Sequence, residues 1–439
     1  MKVAYFLSEL DLIFASEVPD GFEIFAIVYS RSDQENSARG LLKMKNIISI
    51  KSKNENERQR ELNEDLLKET DLAEQLKSHN IDCLLITNSS DYFEKWSKKN
   101  KIILLSPSDF MQKKFENKIF FENFMALNSL PKPAAMIVES ALPKMPFRKT
   151  VLQIPTSWGN EGTFILNSQK AFDQTLAKLQ YPLLAREYKK GLPLSSSILI
   201  TGSGHIYLTS IERQCFYKNS PDTFGRFIGI QWLPYNFFSP VELKNIEKVL
   251  LKAAKSLYKG GLTGLINLDF IFDTNGEVHF IECNPRMACA TNQIIGTPSL
   301  RNDIELFNIF LEHFSSVGKT DLGTGAEFAS LLPRNLFKGC QMFVYFAESE
   351  KFPKKVTKFK SSDFYLFKNG NPEKIFLKKR FDFAKLKNGI FYYNRINKGE
   401  VYEKNLQIGI ILSNFPLYNL RSGKLNKKGK AVYNYFHKY

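Results

Sequence analysis

The sequence predicts an α/β (α+β) protein built from several units, and three observations lead there. Short apolar runs of β-forming residues alternate with polar, helix-like stretches through residues 1 to 115. Two later segments read as β-hairpins closed by glycine-containing turns. The last hundred residues are dense in Phe, Tyr and Lys and look mostly β. At 439 residues the chain exceeds one ordinary core, and units of about 100 to 200 residues suggest three. Its 43% hydrophobic and 24% charged content is that of a folded globular chain, not a disordered one.

The same composition narrows the function classes. The N-terminus, MKVAYFLSEL, runs straight into apolar alternation without a basic region or an apolar signal core. No stretch of about 18 apolar residues lacks a charge, as a membrane span requires. A cytoplasmic protein with no membrane partner is therefore expected. Cys83, Cys215, Cys283, Cys289 and Cys340 are odd in number and lack CxxC spacing, as reduced thiols do, and the five histidines form no zinc-ligand pattern. Of the net charge of +16, the last hundred residues hold +14, with 21 Lys and Arg against 7 Asp and Glu. Such a field favours anionic partners.

Taken in order, KVAYFLS, EIFAIVYS, IISI, DCLLIT and KIILLS suggest a parallel sheet flanked by helices, one of them a highly charged segment at 53 to 78. No GxGxxG follows the first strand, so a dinucleotide fingerprint is absent. Residues 117 to 129 have helical periodicity ended by Pro131 and Pro133, and Lys118 sits at that helix's start. TVLQIP and FIL, joined by SWGNEGT, read as a hairpin followed by an amphipathic helix over about 168 to 179. PLLAREY and SSSILIT form another expected pair, and a helix over about 240 to 258 stops at Gly260 and Gly261.

The chemistry concentrates in LINLDFIFDTNGEVHFIECNPR. Asp269 lies six residues before Asn275 and Glu282 six after Gly276, so a hairpin closed at Asn-Gly sets the two carboxyls near each other on adjacent strands. Side chains alternate faces along a strand, so Glu282 and Asn284 share one face and Cys283 takes the other. Two carboxylates and an amide oxygen make a hard, oxygen-only site suited to Mg²⁺. Arg286, just past Pro285, offers a planar fork for a carboxylate or phosphoryl group.

This hairpin resembles the metal-binding hairpin of the ATP-grasp superfamily, which includes D-alanine and dipeptide ligases and biotin carboxylases. The upstream order fits the resemblance over about 115 to 315. Lys118 with Leu130-Pro131 resembles the first ATP-binding lysine. The loop from Trp158 through Gly159, Asn160, Glu161 and Gly162 to Thr163 resembles the flap that closes over phosphates. AREYKKG, with Glu187 and Tyr188, resembles the strand that reads adenine and ribose.

The resemblance implies a Rossmann-like pre-ATP-grasp domain over 1–115, an ATP-grasp domain of two α+β lobes over 116–339 with its flap lobe at about 148–190, and a basic β-rich domain over 340–439. It implies ATP-binding by Lys118, Gln153, Gly159, Gly162, Thr163, Glu187 and Tyr188. Metal-binding by Asp269, Glu282 and Asn284 and catalysis by Arg286 follow from it too. The implied cofactors are ATP and two Mg²⁺ ions, with Mn²⁺ as a substitute. Two departures stand out: Gln153 occupies a place where the family usually carries lysine, and no acid follows the hinge at Gly191-Leu192-Pro193, which leaves Glu187 as the ribose candidate.

The implied activity is ATP-dependent joining of a carboxylate to an amine through an acyl-phosphate, on amino-acid-like small molecules. Arg213, Arg226, Gln231 and Arg301 are substrate-pocket candidates, and a homodimer is a candidate assembly. The rival readings are a bicarbonate-activating carboxylase, an inactive nucleotide-binding regulator, and a nucleic-acid binder using the C-terminal lysines with Phe364, Tyr365, Tyr392 and Tyr393. The last is disfavoured, because those rings suit a β core and the lysines its solvated face.

Overall fold

The computed structural model describes residues 2–6, 23–29, 35, 39, 46–51, 67–68, 70–142, 144–157, 162–202, 204–217, 225–287, 339–345, 353–356, 360–376, 386–396, 399, 401–402 and 407–437. Five parallel strands open the chain: β1 (Lys2–Phe6), β2 (Glu23–Tyr29), β3 (Ile47–Ile50), β4 (Cys83–Leu85) and β5 (Ile103–Leu105), in the order β3-β2-β1-β4-β5. Their apolar runs are buried, as both faces of a parallel sheet require. Helices α1 (Leu72–Ser78) and α2 (Asp91–Asn100) contribute Leu72, Leu76, Phe93 and Trp96 to that core. Most of the charged segment at 53 to 78 lies outside the described residues.

Two helices then lead to the second layer, α3 (Asp109–Glu116) and α4 (Lys118–Leu127). They meet at Asn117, whose side chain accepts from the amides of Ile119 and Phe120 and so fixes Lys118 in the first turn. A four-stranded antiparallel sheet follows: β6 (Ala135–Val138), β7 (Thr150–Gln153), β8 (Thr163–Leu166) and β9 (Leu183–Glu187), with α5 (Gln169–Leu176) packed on it through Phe172 and Leu176.

The main sheet has ten strands. β10 (Gly191–Ile200), β11 (Ile206–Tyr217), β12 (Arg226–Trp232), β13 (Gly264–Asp273), β14 (Val278–Asn284) and β15 (Cys340–Tyr345) continue into β17 (Asp363–Lys368), β18 (Asn371–Lys374), β19 (Gly389–Asn394) and β21 (Gln407–Ser413). Their order is β14-β13-β10-β11-β12-β15-β21-β19-β17-β18, and a short pair, β16 (Lys354–Lys355) with β20 (Val401–Tyr402), stands apart. Helix α6 (Pro240–Lys259) packs Leu243, Ile246, Leu250, Ala253 and Leu257 against the sheet. It starts with a capping box between Ser239 and Glu242, Pro240 in its first turn, and ends at Gly260.

The sequence suggests that β9 and β10 pair, and they do not. Only residues 188–190 separate them, yet β9 pairs with β6 and β7 while β10 pairs with β11 and β13. Both edges of β10 are occupied by long ladders, so β9 has no edge to join. The chain thereby passes from one sheet to the other within three residues. In the C-terminal region the expected β content is accompanied by a helix, α7 (Lys427–His437), whose Val432 and Phe436 enter the core. Phe436 stacks on Tyr392 at 4.4 Å. Phe364, Tyr365, Tyr392 and Tyr393 are all buried, so these rings form core and not a stacking platform for bases.

Gly229 joins the two halves of the main sheet. It sits in β12 with φ +133° opposite Met342 of β15, and a Cβ there would come within 2.1 Å of the Gln341 carbonyl oxygen. Gly229→Ala is expected to destabilise the protein by about 2 to 4 kcal/mol through strain and a broken rung; denaturant unfolding with unchanged stability would refute this account of the junction.

Candidate active site

A cavity of about 320 Å³ opens between the two sheets. Its lining includes Lys118, Gln153, Thr163, Glu187, Tyr188, Asp269, Glu282, Asn284 and Arg286, nine of the sequence-predicted residues in one place. The hairpin supplies the floor. Asp269 of β13 pairs directly with Glu282 of β14, and Asn267 with Asn284. Asp273 fixes the turn by accepting from the amides of Asn275 and Glu277, with its other oxygen 3.0 Å from His279 Nε2. Cys283 points into the hydrophobic core, opposite to its neighbours.

Around Asp269 the hydrogen bonds converge. Asn267 Nδ2 donates to Oδ1 at 3.0 Å and Asn284 Nδ2 to Oδ2 at 3.3 Å. Arg286 donates from Nη2 to Asn284 Oδ1 at 3.3 Å and from Nε to Glu116 at 2.6 Å. Burial, followed by the charge of Glu282, pushes the Asp269 carboxyl up from 3.8 to about 8. Two carboxyls and the Asn284 amide oxygen on paired strands form a hard, oxygen-only donor set, and that set fits Mg²⁺.

Lys118, 2% exposed, places Nζ 3.3 Å from Glu282 Oε1 and donates to Ser157 O at 3.1 Å. Nearby, Gln153 of β7 offers Nε2 to Thr163 Oγ1 at 3.4 Å. Gly162 has φ +70° and holds the end of the β7–β8 hairpin through Ile154 N to Gly162 O, 2.9 Å. Tyr188 is held by its amide on Lys149 O and by the Lys149 ammonium 3.7 Å over its ring. Glu187 pairs with Lys189 at 2.8 Å.

Other expectations fare differently. Gly159 and Arg301 lie outside the described residues. Arg213 and Gln231 do not line the cavity: Gln214 and Ile230 do, and strand alternation sends their neighbours through to the other face. There Arg213 stands against Gly423, and Gln231 donates to Gly339 O at 2.6 Å. Arg226 lies over the Tyr345 ring at 3.7 Å and is likewise not in the lining.

Sequence reasoning missed Asn267, Gln214 and, above all, Arg186. Asn267 was legible as the residue two before Asp269 on the same strand face. Arg186 was not legible in this way, because its pairing with Val151 joins β9 to β7, which the sequence pattern does not signal. It is 2% exposed and donates from Nε to Glu122 Oε2 at 2.9 Å and from Nη1 to Gln153 Oε1 at 2.9 Å and Ile281 O at 2.7 Å.

Comparison with known proteins finds relatives of this arrangement. Residues 115–290 match the model of the ATP-grasp domain. Over 152 residues the chain is 26% identical to a butirosin acyl-carrier protein L-glutamate ligase of Niallia circulans, a match that spans 33% of this chain and 34% of that relative's length. Among solved structures, biotin carboxylase from Campylobacter jejuni has a TM-score of 0.60 at 13% identity, covering 94% of this chain and 86% of that one. Phosphoribosylamine–glycine ligase from Thermotoga maritima gives 0.58 at 13%, with 99% and 97% covered. An L-amino acid ligase from Bacillus licheniformis gives 0.50 at 12%, with 94% and 92% covered. At such identities the likeness is one of fold.

The raised Asp269 carboxyl has a consequence for stability. The folded chain binds this proton more tightly than the unfolded chain, so the group's contribution falls as pH rises from about 4 to about 8. Asp269→Asn, which keeps the shape and removes the titration, is expected to raise the Tm of the metal-free protein at pH 9 by about 4 °C or more and to flatten the pH dependence of Tm above pH 4. Equal Tm profiles for the two proteins would refute the shift.

Proposed function

We propose, from the match of residues 115–290 to the ATP-grasp domain, that the protein is an ATP-dependent carboxylate–amine ligase acting on amino-acid-like substrates. The convergence of Asp269, Glu282 and Asn284 with Lys118 and Arg286 in one cavity carries this reading. The amino-acid class is supported by the names of two similar proteins, an L-glutamate ligase and an L-amino acid ligase. In this reading residues 1–115 precede the ATP-grasp domain of 116–339, whose flap lobe is about 148–190, and 340–439 form the basic C-terminal part. Among the described residues no helix is long and apolar enough to cross a membrane.

Each residue has a part that follows from its position. Asp269, Glu282 and Asn284 would hold Mg²⁺, which when bound supplies charge neutralisation on the transferring phosphoryl group. Lys118, held between Glu282 and Ser157, presents a point charge to phosphate oxygens. The hinge strand, with Glu187, Tyr188 and the backbone between the two sheets, receives adenine and ribose. Gly162 and Thr163 approach the phosphates from the β7–β8 hairpin.

A substrate carboxylate oxygen then attacks the γ-phosphorus, and the bond to ADP breaks with its electron pair leaving on ADP. The amine attacks the carbonyl carbon of the resulting acyl-phosphate, and phosphate departs. Arg286, its fork oriented by Glu116 and Asn284, stabilises the oxyanion formed at that carbonyl. The low exposure of the site limits hydrolysis of the acyl-phosphate by water.

The test is a phosphate-release screen with ATP, Mg²⁺ and pairs of amino acids, with a bicarbonate-plus-biotin arm. Amino-acid-dependent release is expected, falling about 100-fold or more in Glu282→Ala and in Arg286→Ala. Release unaffected by Glu282→Ala would sink the site, and release only in the bicarbonate arm would transfer the protein to the carboxylases. The Mg²⁺ requirement should also sharpen with acidity. Because cation and proton compete for Asp269, the Mg²⁺ dissociation constant is expected to weaken about tenfold per unit as pH falls below about 8; a constant value between pH 6 and 8 would contradict it.

A further inference from the structure

Four cationic side chains line the cavity: Lys118, Arg186, Lys189 and Arg286. Three of them face one carboxylate each. Lys118 pairs with Glu282, Lys189 with Glu187, and Arg286 with Glu116. Arg186 differs, because its carboxylate is shared. Glu122 Oε2 lies 2.8 Å from Arg186 Nη2, while Glu122 Oε1 lies 2.6 Å from Lys132 Nζ. Glu282 also acts on Arg186, so Lys118, Arg186 and Lys132 share Glu122 and Glu282, three cations against two carboxylates.

Burying such a surplus is unfavourable in a chain that has no anion to meet it. Arg186 is 2% exposed, and burial lowers its pKa against the opposing pull of Glu122. A purely structural knot between α4, β7, β9 and β14 would be served by a balanced pair. The orientation of Gln153 carries the argument further. A guanidinium has only donors, so the atom of Gln153 that meets Arg186 Nη1 at 2.9 Å must be its oxygen. The amide NH₂ is thereby turned toward the cavity side, where Thr163 Oγ1 stands 3.4 Å away.

We propose that Arg186 is a positioning residue for the nucleotide's phosphates: it locks the Gln153 amide with its donors toward them and supplies the positive potential that a neutral glutamine lacks. Gln153 and Arg186 then act as one composite cation alongside Lys118, which α4 holds one turn from Glu122. This inference rests on the ATP reading above and concerns the phosphates alone, not the base.

That restriction makes it testable in the full-length protein, with ATP, ADP and adenosine as separate probes in titration calorimetry and with Tm recorded for every variant. Arg186→Gln is expected to weaken ATP and ADP by about tenfold or more while leaving adenosine within about twofold. Gln153→Ala, which keeps the Arg186–Glu122 ion pair, should weaken ATP and ADP by about fivefold while leaving adenosine within about twofold. Moving the charge, in Gln153→Lys combined with Arg186→Gln, should recover most of the lost ATP affinity. Equal losses for adenosine and ATP in Arg186→Gln, or unchanged ATP binding in Gln153→Ala, would overturn the proposal and leave Arg186 a structural tie. Wild-type protein that binds none of the three probes would instead overturn the ATP reading, and the proposal with it.

Discussion

One rung of one hairpin governs the site: Asp269 opposite Glu282, two carboxyls facing the same side of paired strands in a place shielded from water. Like charges at that separation repel, and burial raises the cost of ionising Asp269 further. The surroundings answer this constraint. Asn267 and Asn284 donate to Asp269, Lys118 approaches Glu282, and the proton stays on Asp269. Even the placement of Lys118 reflects it. A cation in the first turn of a helix lies at the unfavourable end of the macrodipole, and the pairing with Glu282 offsets that.

The parts that were legible in the sequence depend on local rules. The register of Asp269 and Glu282 followed from equal distances to an Asn-Gly turn, and Lys118 from a helix start that Asn117 in fact caps. The helix expected at about 240 to 258 and the positions, though not the lengths, of the N-terminal strands followed from periodicity. The parts that were not legible depend on distant packing. Glu122 and Arg186 are 64 residues apart, and nothing local announces their pairing. The parting of β9 from β10 was hidden because adjacent strands with a short link usually pair, and only the occupied edges of β10 prevent it. Helix α7 was masked by a run of aromatics whose spacing at Val432 and Phe436 is helical only once the neighbouring rings are discounted.

Arg213 and Gln231 teach a narrower lesson. Charge and polarity marked them as pocket residues, yet Gln214 and Ile230, their strand neighbours, take the lining, and Arg213 and Gln231 turn to the other face. Placing Arg186 needed the pairing of β7 with β9, which no local pattern announces.

The contact between Arg186 and the carbonyl of Ile281 has a meaning apart from nucleotides. β14 is the terminal strand of the main sheet, and a terminal strand with open backbone groups is a template on which another chain can add. Here the Ile281 carbonyl is taken by the guanidinium, and the Phe280 amide donates to Pro131 O at 3.0 Å. The sheet is sealed at this border by a side chain from the other lobe and by a loop carbonyl. Removing the Arg186 side chain would therefore leave a backbone acceptor of the border strand open as well as change the cavity wall.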